Sequence, residues 1–418
     1  MDEAATPSAL RSCAAEMRAA LAHPLEIEET VAALAAGCEQ IASIGNPIGA
    51  ETVQSIAHRW GWSEEVLELS LRALCEPVKR PHLEALAQRI SSRKELIAFV
   101  MAGNIPGAGL HEVILALLTG HGVIIKTASN EPVFFRQLAE AVRQTAPALA
   151  ARIAVFTWER HDQAQTSALR EICDRMVVFG DDQTIAHPSL AGAAGGNGQT
   201  TGFGSRYSGA ILTSGAIAGS LRGRILHPLV LDIIAFEQRG CLSPHHIFVG
   251  DPEGSVAEEF AASLAAQIEA YSDDVIPPPS QLALEDTASI RRMRERARWR
   301  RIGGEAVHLW EGPIPGWTVI YDRDASFTPS PGFRTVFVSP FRDAPDLERR
   351  LVPVKGQIEG MAFKAEPTIE SESYIYSLRH LLEQTGATYI SEPGRMQSPS
   401  LDWPHGGGEF WRSLCEKA

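Results

Sequence analysis

An α/β fold built on parallel sheet follows from three features of this 418-residue sequence. Short, wholly apolar runs alternate with helix-length stretches from Leu96 onward. Those runs lack the polar alternation of a sheet with one wet face, so they read as strands buried on both sides. The pattern restarts after residue 241, which implies two such units.

The elements read in order as follows. Residues 1–92 form a helical region, opening with Thr6 as N-cap and Pro7 in the first turn. Helical spacing of apolar residues in EEVLELSLRALCEPV ends at Pro77. LIAFVMA is then a strand, Leu110 to Thr119 a helix, GVIIKTA a strand and Glu131 to Thr145 a helix. IAVFTW follows as a strand, Thr166 to Cys173 as a helix and RMVVFG as a strand. A helix beginning at Pro228 and stopped by Gly240 precedes a strand from His246 to Val249. The second unit continues with a helix from Ser255 to Tyr271, the VIPPPS break and an arginine-rich helix over Arg291 to Arg301. Strands at GWTVIYD and RTVFVSP and helices from Asp346 and Glu372 complete it. The tail from Gly386 shows little helical periodicity. Domain boundaries are expected at 1–92 (helical), 93–239 (cofactor domain), 240–385 (catalytic domain) and 386–418 (return or oligomerisation segment).

Composition narrows the function. Lys plus Arg total 38 against 51 for Asp plus Glu, a net charge of −13, which argues against a general nucleic-acid binder. The six cysteines form no CxxC pair, so neither a metal site nor a disulfide framework is indicated. No secretory signal opens the chain and no apolar run reaches the ~18 residues of a membrane span. A cytoplasmic protein is expected.

Three loops carry chemistry. In AFEQRGCLSPHHIFV, Cys241 stands between a helix and a strand, where rigid neighbours can present a thiolate to a carbonyl carbon; a buried structural cysteine fits the stretch equally well. MAGNIPGAG places Asn104 just beyond the first strand, where its amide could donate to a developing oxyanion or simply shape a turn. IIKTASNEP puts Lys126 at the same edge, within reach of a ribose hydroxyl or phosphate. In VVFGDDQTIA, Gly180 would admit a ligand to the backbone, and the following helix start would favour pyrophosphate. No GxGxxG follows any strand; the glycines of GGNGQTTGFG have the wrong spacing.

MAGNIPGAG, GVIIKTASNEP, VVFGDDQTIA and FEQRGCLSPHHIFV, in this order, resemble the aldehyde dehydrogenase superfamily, whose cofactor domain lacks the standard glycine fingerprint. AGNIPG, GFGSRYS, QRGCLSPHH and GRMQSPSLDWPHGG narrow the resemblance to the acyl-CoA reductases of bacterial bioluminescence operons, over roughly residues 95 to 415. It implies an aldehyde dehydrogenase-like α/β fold with a parallel-sheet cofactor domain and an α/β catalytic domain. Cys241 would be the nucleophile, and Asn104 with the Cys241 N–H would form the oxyanion hole. Lys126 would hold the adenosine ribose of a nicotinamide cofactor, and Gly180 and Asp181 would lie near its pyrophosphate and nicotinamide ribose. Hydrolytic relatives carry a glutamate where this chain has Ser129; without that charge a 2′-phosphate is not repelled, which favours NADPH over NADH.

Two departures matter. Gly202, in TGFGSRYS, occupies the place of the glutamate that activates water in hydrolytic relatives. An acyl enzyme should therefore persist until it is reduced or taken by another thiol. The EEIFGP motif is absent, and PGFRTVFVSP occupies the neighbouring region, which leaves the nicotinamide-ribose contact unassigned. The expected reaction is NADPH-dependent reduction of an acyl-CoA, with a fatty acyl chain inferred from the resemblance, to the aldehyde, with coenzyme A leaving. The alternatives are an acyl-phosphate (semialdehyde-type) reductase, a CoA-acylating dehydrogenase running oxidatively, and a degenerate nucleotide-binding scaffold. An acyl-transferase or acid-activating partner protein and a homo-oligomeric state are also expected from the resemblance. His245 and His246 are candidate proton donors, and the arginine-rich helix is a candidate phosphate binder or a solvated face.

Overall fold

The computed structural model describes residues 5–90, 94–187 and 200–415. The expected helix-to-strand boundary at 92–93 and the start of the glycine-rich run, 195–199, lie outside them.

Five strands build the first sheet: β1 (Leu96–Val100), β2 (Gly122–Thr127), β3 (Ile153–Thr157), β4 (Arg175–Phe179) and β5 (Thr200–Phe203). They run in the order β3-β2-β1-β4-β5, all parallel. Every β1 residue is buried, as expected of a strand covered by helices on both faces. On one face, Leu10, Ala14 and Met17 of the Pro7–Ala22 helix pack on Leu96, Ala98, Val100 and Ile124. Because β1 leads outward to β2 and β4 lies on its other flank, the winding reverses between β1 and β4. In open α/β sheets ligands enter at this reversal, beyond the carboxyl ends of the strands. The loop after β1 carries Asn104, and the turn after β4 carries Gly180 and Asp181.

The second sheet has seven strands: β6 (Tyr207–Thr213), β7 (Pro244–Gly250), β8 (Val307–Glu311), β9 (Thr318–Asp322), β10 (Thr335–Phe341), β11 (Ile358–Lys364) and β12 (Tyr389–Ser391). Their order is β12-β11-β6-β7-β10-β9-β8, with only β8 antiparallel to its neighbour. β7, which follows the Cys241 loop, is buried along its whole length.

Several expectations are corrected. The helix before Cys241 spans Leu221–Ile234 with Pro228 inside it, so the proline is an interior residue that forgoes one ladder hydrogen bond. It ends at Ile234, six residues before Gly240, because the backbone turns left-handed at Phe236. The arginine-rich helix is longer than read, Leu284–Ile302, and the glycine-rich tail closes in a helix, Glu409–Cys415. The two compact units are Met1–Arg59, Leu71–Ser205 and Ser400–Ala418 on one side, and Trp60–Ser70 and Arg206–Pro399 on the other. The division therefore falls at Ser205/Arg206 instead of 239/240, because β6 bonds to β7 and β11 in the second sheet. Residues 400–418, expected in the tail segment, join the first unit. No helix among the described residues is long and apolar enough to cross a membrane.

Candidate active site

Cys241 is a free, half-buried thiol in the second unit. Its loop is held at many points. The Ser208 hydroxyl donates to the Cys241 carbonyl at 2.7 Å and accepts from the Gly360 N–H at 2.9 Å. The Gln238 amide donates to the Pro244 carbonyl at 2.6 Å, and the Ser243 N–H closes a turn onto the Gly240 carbonyl at 3.0 Å. The N–H of Phe236 donates to Ser70 Oγ at 2.7 Å. Among the described residues the Cys241 N–H finds no acceptor. A backbone donor left open beside a thiol, on a loop with little freedom, can donate to a negatively charged oxygen.

Asp232, inside the Leu221–Ile234 helix, ties the tail to this loop. Its carboxylate accepts from the N–H groups of Gly394 and Met396, and the Gln397 amide donates to the Asp232 carbonyl at 3.0 Å and to Ser243 Oγ at 3.3 Å. Burial pushes the Asp232 carboxyl up to about 7, against the pull of those two donors. The GRMQSPS stretch is thus structural support for the Cys241 loop, a role invisible from its composition.

The other sequence candidates share one edge of the first sheet. Lys126 ends β2 beside Val100 of β1, and Val178 of β4 stands on the other side of Val100. Two strand spacings therefore separate the Lys126 strand from the one leading to Gly180, about 10 Å. Lys126 Nζ lies 5.8 Å from the centre of the Trp158 ring, and burial lowers its pKa. A Cβ on Gly180 would lie 2.9 Å from Thr184, so only glycine leaves this turn open. Asp181 accepts from the Thr184 N–H at 2.6 Å, and its carboxylate, spent on capping, is a poor partner for pyrophosphate. Asn130 donates to the Gly103 carbonyl at 2.8 Å and so braces the loop that carries Asn104.

The Ser129 turn holds a cation that the sequence did not reveal. Arg59 donates to the carbonyls of Ser129, at 2.8 Å, and Asn130, at 3.0 Å. A guanidinium beside a serine, with no carboxylate at that position, suits an added phosphate. The edge offers an ammonium at β2, an open glycine turn at β4 and a guanidinium near Ser129, groups that can meet the phosphates of a nucleotide.

His245 and His246 differ from simple proton donors. His245 Nδ1 accepts from the Ser330 N–H at 2.8 Å, and His246 Nδ1 accepts from the Thr328 N–H at 3.1 Å. Each ring is therefore neutral with its proton assigned to Nε2. His246 Nε2 lies 2.9 Å from Ser339 Oγ, which donates to the Asp322 carbonyl at 2.6 Å. Burial pushes the two rings down, to about 4 and about 3 respectively. His246 is a core residue stacked on Phe248.

Three arginines of the arginine-rich helix are engaged within the fold. Arg294 is buried and donates to Thr318 Oγ1 and to the Gly312 and Trp317 carbonyls, while Arg298 and Arg300 pair with Glu311, Glu305 and Asp322. Gly202 lies in β5, where a Cβ would come within 2.6 Å of Ile185 Cγ2. Next to it, Phe203 stacks on Phe179 at 4.6 Å and lies tilted against His405 at 4.4 Å, and His405 Nδ1 meets Glu112 Oε1 at 2.7 Å. Burial pushes the Glu112 carboxyl up, but His405 and His111 together draw it below its ordinary value.

The acyl-CoA reductase (LuxC) family profile matches residues 83–415. A long-chain acyl-protein thioester reductase of Photobacterium phosphoreum is 24% identical over 304 residues, 71% of this chain and 56% of that protein. One from Photorhabdus laumondii is 28% identical over 183 residues, 41% of this chain and 35% of that protein. This chain thus spans little more than half the length of these relatives, or less. Among solved structures, the putative aldehyde dehydrogenase PutA of Anabaena variabilis aligns over 93% of this chain and 84% of its own, with a TM-score of 0.65 and 17% identity. Aldehyde dehydrogenase 21 of Physcomitrella patens aligns over 95% and 84%, with a TM-score of 0.69 and 11% identity. At such identities the likeness establishes the fold, which is that of the aldehyde dehydrogenases.

Proposed function

The chain belongs to the acyl-CoA reductase (LuxC) family, and from that premise we propose that it reduces an acyl thioester to an aldehyde through an acyl group carried on Cys241. The observation that carries this reading is the Cys241 loop itself, with a free thiol and an open backbone N–H on an anchored turn. The thiolate attacks the thioester carbonyl, the carbonyl electron pair moves onto oxygen, and the Cys241 N–H and the Asn104 amide receive that oxyanion. Collapse expels the donor thiolate and leaves an S-acyl cysteine. Lys126 and the Gly180 turn would hold a nicotinamide cofactor, NADPH in this reading, which would supply the hydride for the second step. Lys126 and Arg59 would hold its phosphate-bearing end, with NADPH preferred over NADH through Ser129. The same two donors receive the second oxyanion, whose collapse releases the aldehyde and returns the thiolate. Gly202 offers no base for hydrolysis in the interval.

The donor is an acyl-CoA or an acyl group presented on a protein. The first follows from the family description, and the second from the relatives, which are acyl-protein reductases. A long-chain acyl group, a partner that transfers or activates it, and a homo-oligomeric enzyme complete the proposal. The test is a panel of acyl-CoAs of rising chain length, with and without NADPH or NADH, followed by cofactor oxidation, aldehyde and intact protein mass. An acyl adduct on Cys241 without cofactor and aldehyde with it are expected. Aldehyde from Cys241→Ala at the wild-type rate would refute the mechanism. Carboxylic acid as the main product would point to hydrolysis, and acylation by acyl phosphate alone to the semialdehyde-type reaction.

A further inference from the structure

Three successive residues upstream of the nucleophile, Phe236, Glu237 and Gln238, lie in the left-handed region, at φ 56°, 49° and 59°. None is glycine, so the conformation persists only because its surroundings impose it. Facing them, Phe333 and Arg334 are also left-handed, at φ 52° and 55°. The two turns are joined at the backbone, where the Phe333 N–H donates to the Glu237 carbonyl at 2.8 Å.

They are also joined by side chains. Arg334 Nη2 lies 2.7 Å from Glu237 Oε1, and Nε lies 3.0 Å from Oε2, a two-pronged contact between groups with no solvent exposure. The rest of the guanidinium is satisfied by Ser272 Oγ and the carbonyls of Ile276 and Pro277. Burial holds the Glu237 carboxyl above its ordinary value although Arg334 draws it down, and the two short contacts form a fork between carboxyl and guanidinium. Well-packed apolar residues often replace such a pair at little cost in stability. What they cannot reproduce is direction, since a fork contact fixes both the separation and the orientation of the two turns.

We propose that Glu237 and Arg334 are a positioning pair for the reaction at Cys241, clamping the two left-handed turns so that the thiol and the N–H of Cys241 keep the mutual geometry needed for attack on a carbonyl. Arg334 comes from PGFRTVFVSP, the stretch neighbouring the place of the absent EEIFGP motif, which in this reading serves the nucleophile. The inference rests on Cys241 being the acyl-accepting thiol.

The test compares two reactions of the same sulfur in the full chain. Acetylation by p-nitrophenyl acetate forms a sulfur–carbon bond, passes through an oxyanion and expels p-nitrophenolate. Alkylation by iodoacetamide displaces iodide at a saturated carbon and needs no oxyanion donor. Both rates are read at the Cys241 peptide by mass, for wild type, the Glu237→Gln/Arg334→Met double variant, and Arg334→Lys, which keeps the charge and loses the fork. The ratio of acetylation to alkylation should fall about tenfold or more in the double variant and severalfold in Arg334→Lys. A role confined to folding moves both reactions together; a ratio within about twofold of wild type in every variant that folds overturns the proposal, as does failure of both variants to fold. Wild-type Cys241 that alkylates but takes an acyl group from neither ester nor thioester overturns the acyl-enzyme reading and this inference with it, a result distinct from an unchanged ratio.

Discussion

Acidification from pH 7 to pH 5 should destabilise the protein through His245 and His246, and the size of the effect can be worked from their surroundings. Each ring accepts a backbone N–H at Nδ1, at 2.8 Å and 3.1 Å, so protonation there would break a hydrogen bond and strand a charge inside the sheet. Burial accordingly pushes the rings down to about 4 and about 3, from 6.5. A histidine whose folded value is depressed contributes stability that is present above the unfolded value and is lost as pH falls toward the folded one. At pH 5 the unfolded chain has bound a proton at each ring while the folded chain has not, which costs about 2 kcal/mol per histidine. Asp232 works in the opposite sense over the same window, so the wild-type curve alone would mislead. The assay is urea unfolding at both pH values of wild type, His245→Asn and His246→Asn, because the asparagine oxygen can stand in for Nδ1 and does not titrate. Each variant should lose about 2 kcal/mol less than wild type between pH 7 and pH 5. Equal losses in all three proteins would refute the assignment of neutral, N–H-accepting rings.

The Asp232 carboxyl, raised to about 7 from 3.8, contributes stability that is full below its unfolded value and disappears as pH rises through about 7. The thermal midpoint of Asp232→Asn should gain on that of wild type as pH rises from 4 to 7, and a difference that stays constant with pH would show the carboxylate to be ionised throughout. Asn104→Ala should slow acylation of Cys241 on the order of 100-fold, a few kcal/mol, measured as the single-turnover appearance of the acyl adduct; a rate within about twofold of wild type removes Asn104 from the oxyanion site. Ser129→Glu should raise the KM for NADPH about tenfold and leave that for NADH little changed, by restoring a charge that repels a 2′-phosphate. An equal effect on both cofactors would place the 2′-position elsewhere.

Periodicity alone sufficed for β1 to β4, since each is an apolar run bounded by turn residues, and for the placement of Asn104, Lys126 and Gly180 at the ligand end of one sheet. Most of the strands it passed over look unlike strands, with β8, VHLWE, the exception. β5 is TTGF and β11 is IEGMAFK, each with an interior glycine. β12 is only three residues long. Pro228 pointed to a helix start because that is where proline is most at home, yet tertiary packing of Leu229, Val230 and Ile233 carries the helix through it.

Local chemistry written in order along the chain was enough to single out the α/β class, the nucleophile candidate and the resemblance to reductases, because apolar runs, turn residues and motif spacing are short-range properties. The support around Cys241 was decided only in three dimensions. Ser208, Glu237, Arg334 and Gln397 lie in motifs the sequence already singles out, and Asp232 in none, but no motif says which of them meets which. Their meaning lies in which buried donor meets which acceptor after the chain has folded. A buried ion pair or a carboxylate capping two distant N–H groups leaves no trace in spacing or composition, since it is the cost of leaving such groups unpaired in the interior that brings them together.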